Sequence, residues 1–99
     1  MASEAAEWAQ GPLYKALVAA LPGFLIDSTT DSPRLCVAAV AKELKISREI
    51  IYRWLRAGSV NTRNAKRLVE LARTTRNLAV LHANGTQPVE FSDFVPFLA

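Results

Sequence analysis

The chain has 99 residues, 51% apolar and 21% charged, with a formal net charge of +3. That is enough for one compact domain and too little for two ordinary ones, and the composition excludes disorder as the main state. The single cysteine, Cys36, excludes an intramolecular disulfide and leaves a cysteine-based zinc site short of ligands.

Gly11-Pro12 followed by Leu13 to Leu21 predicts a helix with proline at its first position, stopped by Pro22-Gly23. Leu13, Leu17, Ala20 and Leu21 form its buried stripe. Asp27-Ser28-Thr29-Thr30-Asp31 reads as a polar loop. Ser32-Pro33 then opens a second helix, with Ser32 as N-cap and Pro33 in the first turn. Cys36 is expected within that helix as a small core residue, and Val37, Val40, Ala41 and Leu44 recur at helical spacing.

Ile46 falls in a turn, and Ser47 is the natural N-cap of the next helix. At about 100° per residue, Ile51, Trp54 and Leu55 share one side of that helix. Glu49, Arg53 and Arg56 lie opposite, with Tyr52 on the flank and Arg48 in the first turn. Gly58 ends it. Asn61 or Thr62 caps a further helix with Ala65, Leu68, Val69 and Ala72 inside, and Thr74-Thr75-Arg76-Asn77 is expected to end it.

Leu78 to Ala83 before Asn84-Gly85 fits a short glycine-capped helix, which is favoured, or one strand of a β-hairpin whose return strand Pro88 confines to an edge. Phe91, Phe94, Phe97 and Leu98 crowd the last nine residues. They supply either a dimer interface or a closure of the chain's own core. The expected fold is a mainly α, compact bundle of about five helices, with a short C-terminal β-hairpin as the alternative ending. It forms one domain: an N-terminal helix and loop over 1–33, a helix-turn-helix over 33–58, and a support helix and tail over 59–99.

Charge is unevenly spread. Residues 1–33 carry one Lys against four acids, 34–76 carry eleven Lys/Arg against three acids, and 77–99 carry two acids and no Lys or Arg. The local balances are therefore −3, +8 and −2. The basic segment is the one that holds the helix pair. A helix with an Arg-rich outer face suits the major groove of B-DNA, which is wide enough to admit it. Arg48, Arg53 and Arg56 can each make bidentate bonds to guanine or neutralise a phosphate. Glu49 can accept from cytosine N4 or orient a neighbouring arginine. Tyr52 can stack on sugar or methyl groups, or simply be a half-buried flank residue. Trp54 belongs to the core, since it shares a face with Ile51 and Leu55.

The run Ala41-Lys42-Glu43-Leu44-x-Ile46 … Ile51 … Leu55-x-Ala57-Gly58 resembles the phage Cro-type and lambda-repressor-like helix-turn-helix family, without a gap. Asn84-Gly85-Thr86 and Val95-Pro96-Phe97 are loosely similar to a Cro C-terminus. The resemblance covers about a quarter of the chain. It implies that Ser47, Arg48, Glu49, Tyr52, Arg53 and Arg56 meet double-stranded DNA, with the protein acting as a homodimeric transcriptional regulator. The family usually has glycine in the turn where this chain has Lys45, so Lys45 must adopt a left-handed conformation or reshape the turn. Apolar Val37 and Ala38 also replace the polar groups that relatives place at the start of the first helix. Backbone anchoring then falls to Lys42, Asn61, Thr62, Arg63 and Lys66.

Ser47-Arg48-x-x-Ile51-Tyr52-Arg53-Trp54-Leu55-x-x-Gly58 also resembles excisionase and MerR-type winged helices. Those follow the glycine with a β-hairpin, whereas here a helix-like Asn64-to-Arg73 segment intervenes. The alternative functions are a DNA-bending accessory factor, excisionase-like or a packaging-initiation subunit, and a protein-only interaction module. An enzyme is not expected. One His and one Cys lie far apart, and there is no Gly-rich phosphate loop and no carboxylate pair at helical spacing in a plausible cleft. No cofactor or metal is implied. Met1 to Glu7 is acidic and lacks the basic start of a signal peptide, and no apolar run approaches the roughly 18 residues of a membrane span. The expected location is the cytoplasm, with the nucleoid.

Overall fold

The computed structural model describes residues 11–26 and 34–99. Within them lie five α-helices: α1 (Pro12–Ala20), α2 (Val37–Leu44), α3 (Arg48–Ala57), α4 (Thr62–Ala72) and α5 (Thr75–Asn84). Short 3-10 helices span Pro22–Phe24 and Phe91–Phe97, and pairing among the described residues is limited to two isolated β-bridges. The mainly α, compact class expected from the sequence is what forms, with a radius of gyration of 12.8 Å.

The start of α1 follows from Pro12, whose missing N–H costs nothing in a first turn and whose fixed φ suits a helix. Leu13, Leu17, Ala20 and Leu21 are buried as expected, together with Tyr14. The next helix begins later than the sequence suggested. Ser32, Pro33 and the Asp27-to-Asp31 loop lie outside the described residues, but α2 starts only at Val37. Residues 34–36 are extended instead. Leu35 bridges antiparallel to Leu25, Ile26 N–H donates to the Arg34 carbonyl at 2.7 Å, and Cys36 N–H donates to the Phe24 carbonyl at 2.7 Å. Leu35 N–H also donates to the Tyr14 hydroxyl at 3.0 Å. A helix through these positions would forfeit those bonds. Cys36 is accordingly the half-buried N-cap of α2 and not a residue inside it.

On the inner side of α4, Ala65, Leu68, Leu71 and Ala72 are buried, while Val69 is only half-buried. The Thr74-to-Asn77 stretch does not merely end α4. Thr74 Oγ1 donates to the Leu71 carbonyl at 2.8 Å, and the chain re-enters a helix at once as α5. Gly85, at φ 70°, ends α5. Leu78 to Ala83 is therefore helical and the hairpin alternative does not form, Pro88 included. The reason for the restart is Asn77, which is fully buried. Its Oδ1 accepts from Gly23 N–H at 2.8 Å, and its Nδ2 donates to the carbonyls of Ala20 at 3.0 Å and Ala72 at 2.9 Å. Those carbonyls close α1 and α4, where helices leave acceptors without internal partners. Gly23 is required beside it: a Cβ there would lie 2.8 Å from Asn77 Cα.

The aromatic tail folds back on its own chain. Phe94 is 2% exposed, Leu98 forms a parallel bridge to Val60, Val60 N–H donates to the Phe97 carbonyl at 2.8 Å, and Ala99 N–H donates to the Val60 carbonyl at 3.0 Å. Phe91, Phe97 and Leu98 pack against the core as well. The tail thus closes its own core, with Phe94 buried and Phe91 and Phe97 half-buried.

Replacing Asn77 by alanine leaves three backbone groups unpaired, the Ala20 and Ala72 carbonyls in buried positions and the Gly23 N–H in a part-buried one. It is expected to cost about 2–4 kcal/mol in a chemical denaturation series, with Gly23→Ala destabilising through the same contact.

Candidate nucleic-acid interface

Helices α2 and α3 are joined by Lys45-Ile46-Ser47. Lys45 takes the left-handed conformation, φ 60° and ψ 43°, the sole non-glycine residue with positive φ among the described residues. Its N–H donates to the Lys42 carbonyl at 3.3 Å, and Ile46 N–H donates to the Ala41 carbonyl at 3.1 Å, which closes the C-terminus of α2. Ser47 is the N-cap of α3 in backbone conformation, although its side chain makes no capping bond. Gly58, at φ 71°, ends α3 and bonds back to the Trp54 carbonyl at 2.7 Å. That left-handed geometry suits glycine.

The division of α3 into two sides follows the sequence. Ile51, Trp54 and Leu55 are buried at 0%, 7% and 3% exposure, each worth about 1.5–3 kcal/mol of transfer free energy. Ser47, Arg48, Glu49, Arg53 and Arg56 are exposed, and Tyr52 is half-buried against the core, the flank placement. Glu49, Arg53 and Arg56 stand at i, i+4 and i+7 along one ridge. Arg56 Nη2 lies 3.7 Å from Glu49 Oε1. So exposed a pair adds little stability.

The structure separates the basic residues by their internal contacts. Besides Arg56, four have internal contacts. Arg67 donates to the carbonyl of Leu44 at the end of α2. Arg73 Nη2 donates to the Val89 carbonyl at 3.1 Å. Arg76 Nε donates to the Gly23 carbonyl at 2.7 Å while its guanidinium sits 4.4 Å from the centre of the Phe24 ring. Lys66 Nζ lies 5.9 Å from the centre of the Phe91 ring. The side chains of Lys42, Lys45, Arg48, Arg53 and Arg63 are exposed and have no hydrogen bond or ion pair among the described residues. At the start of α4, Asn61 Oδ1 accepts from Asn64 N–H at 2.8 Å, which leaves the Asn61 amide nitrogen to donate elsewhere. Thr62 and Arg63 follow it, both exposed, and only Gly58, Ser59 and Val60 separate this group from the end of α3.

Sequence reasoning missed that Arg67 joins α4 to α2. The available signal was its place beside Leu68 and four residues before Leu71, at the margin of the buried side of α4. The groove lined by Glu43, Leu44, Arg67, Glu70, Leu71 and Thr74 contains this bond and no nucleophile–base arrangement. Among the described residues no group of three or more His, Cys, Asp or Glu could hold a metal ion. No helix among them is long and apolar enough to cross a membrane. Comparison with known proteins found no matching family model, curated sequence or solved structure.

The sorting of charges predicts opposite outcomes for two arginines. Arg67→Ala should lower stability by about 1–3 kcal/mol in thermal or denaturant unfolding, whereas Arg53→Ala should leave it within about 0.5 kcal/mol.

Proposed function

We propose that this protein binds double-stranded DNA sequence-specifically, inserts the outer side of α3 into the major groove, and acts as a transcriptional regulator of the repressor type. The observation that carries this reading is the exposed ridge of Arg48, Arg53 and Arg56 on a helix whose opposite side is locked into the core. Arg48 and Arg53 have no ion pair among the described residues, and Arg56 has only its exposed pair with Glu49, so neutralising phosphate or bonding to guanine costs little internal interaction. Arg53 is the principal base reader. Arg56 is the second, oriented by Glu49, since the 3.7 Å pair favours an orienting role for that carboxylate over acceptance from cytosine. Lys42, Asn61, Thr62, Arg63 and Lys66 supply phosphate contacts that set register.

A single recognition helix buries too little surface for tight specific binding, so the active species is a homodimer reading two half-sites about one helical turn apart. Because Phe94 is buried within its own chain, the dimer contact lies outside that side chain. The absence of a strand pair after Gly58, where α4 stands instead, favours the repressor-type arrangement over the winged-helix one.

Titration of labelled duplex with the purified protein tests this. Arg53→Ala and Arg56→Ala should each weaken binding to the preferred sequence by roughly 1–3 kcal/mol and relax discrimination, whereas Lys42→Ala and Arg63→Ala should weaken all sequences alike. Wild-type affinity should fall steeply with salt. Arginine variants that bind the preferred sequence like the parent would overturn the assigned face.

A further inference from the structure

The turn between α2 and α3 holds the least comfortable backbone position among the described residues. Lys45 stands in the left-handed region, where a side chain with a Cβ is disfavoured and glycine is the relaxed choice. It also places a third positive charge in a short row. Lys42, Lys45 and Arg48 follow one another at three-residue intervals across the end of α2, the turn and the first turn of α3. All three side chains are exposed and none has an ionic partner among the described residues, Glu43 included. Backbone strain and exposed positive charge therefore coincide at one residue whose side chain makes no hydrogen bond or ion pair among the described residues. A side chain kept at a cost to stability points to a role outside the fold.

We infer that Lys45 is a phosphate-contacting residue, which with Lys42 and Arg48 forms a cationic clamp on the DNA backbone at the edge of the groove entered by α3. The inference rests on the duplex-binding reading and extends it to a residue that the outer side of α3 does not include. The chemistry follows from position. Lys45 lies three residues before Arg48, at the end of α3 where the exposed N–H groups and the aligned peptide dipoles also favour an anion. A lysine on a turn contacts phosphate as a compact point charge and carries no base preference of its own. It strengthens binding to every sequence and adds one phosphate to the salt dependence.

Lys45→Gly separates the two sides of this account. Unfolding is followed thermally, and binding is measured for the preferred duplex and an unrelated duplex across a salt series. Relief of the left-handed strain should raise Tm by on the order of 5 °C. Affinity should fall by the same factor for both duplexes, and the slope of log affinity against log salt should become shallower by about 0.9. Lys45→Asn, which also tolerates the left-handed region, should reproduce the binding loss, and Lys45→Arg should retain wild-type binding. If the wild type binds duplex and the glycine variant matches its affinity and slope, the clamp is wrong while the DNA reading stands. A glycine variant that loses both stability and affinity would also overturn it, because Lys45 would then be structural. If the wild type binds no duplex at low salt, the DNA reading itself fails.

Discussion

The buried carboxamide of Asn77 is the constraint on which the arrangement of helices depends. One side chain of the first turn of α5 answers the carbonyls that end α1 and α4 and the N–H of Gly23 in the turn after α1. Two segments far apart in sequence, the end of α1 with the turn after it and the junction of α4 with α5, are thereby fixed to one another through one buried side chain. The geometry tolerates little change, since Gly23 has no room for a Cβ and an apolar residue at 77 would strand all three groups. Arg76 reinforces the same junction from the surface through the Gly23 carbonyl and the Phe24 ring.

From that junction the order passes to the helix pair. Fixing α4 against α1 and α5 gives Arg67 a fixed base from which to bond the last carbonyl of α2, and α2 packs against α3 within the core that holds Ala41, Leu44, Ile51 and Leu55. The C-terminal segment, anchored by Phe94 and by the pairing of Leu98 with Val60, holds the short connection between α3 and α4. Helix α3 is therefore gripped along one side and at its C-terminal exit while its other side remains solvated. A rigid element that presents an adaptable polar side is what groove reading requires.

Much of this was legible in the residues. The periodicity of Val37, Val40, Ala41 and Leu44, the two-sided pattern of α3 and the glycine at 58 each express a local rule, and the folded chain obeys them. At Lys45 the resemblance left two outcomes open, a left-handed conformation or a reshaped turn, and the chain takes the left-handed one. What was not legible depends on partners distant in sequence. Nothing local marks Asn77 as buried, since asparagine after two threonines ordinarily signals a helix end. The extended path at 34–36 is set by pairing with Leu25 and by the Tyr14 hydroxyl, against the helical pull of Ser32-Pro33. Within the candidate site, sequence located the cationic region and named Arg48, Arg53, Arg56, Lys42, Arg63 and Lys66, but gave no role to Arg67, Arg73 and Arg76. Only the folded chain separates Arg67, Arg73 and Arg76, which bond carbonyls, from Arg48, Arg53 and Arg63, which do not.

The central claim is that the exposed side of α3 reads the sequence of duplex DNA. Its most direct test is selection of bound fragments from a random duplex pool at low salt, run in parallel with the wild type and Arg53→Ala. The account predicts enrichment by the wild type of a guanine-containing half-site, repeated with inverted symmetry about one helical turn away, and loss of that guanine preference in the variant. A wild-type pool that remains random after repeated rounds would contradict it.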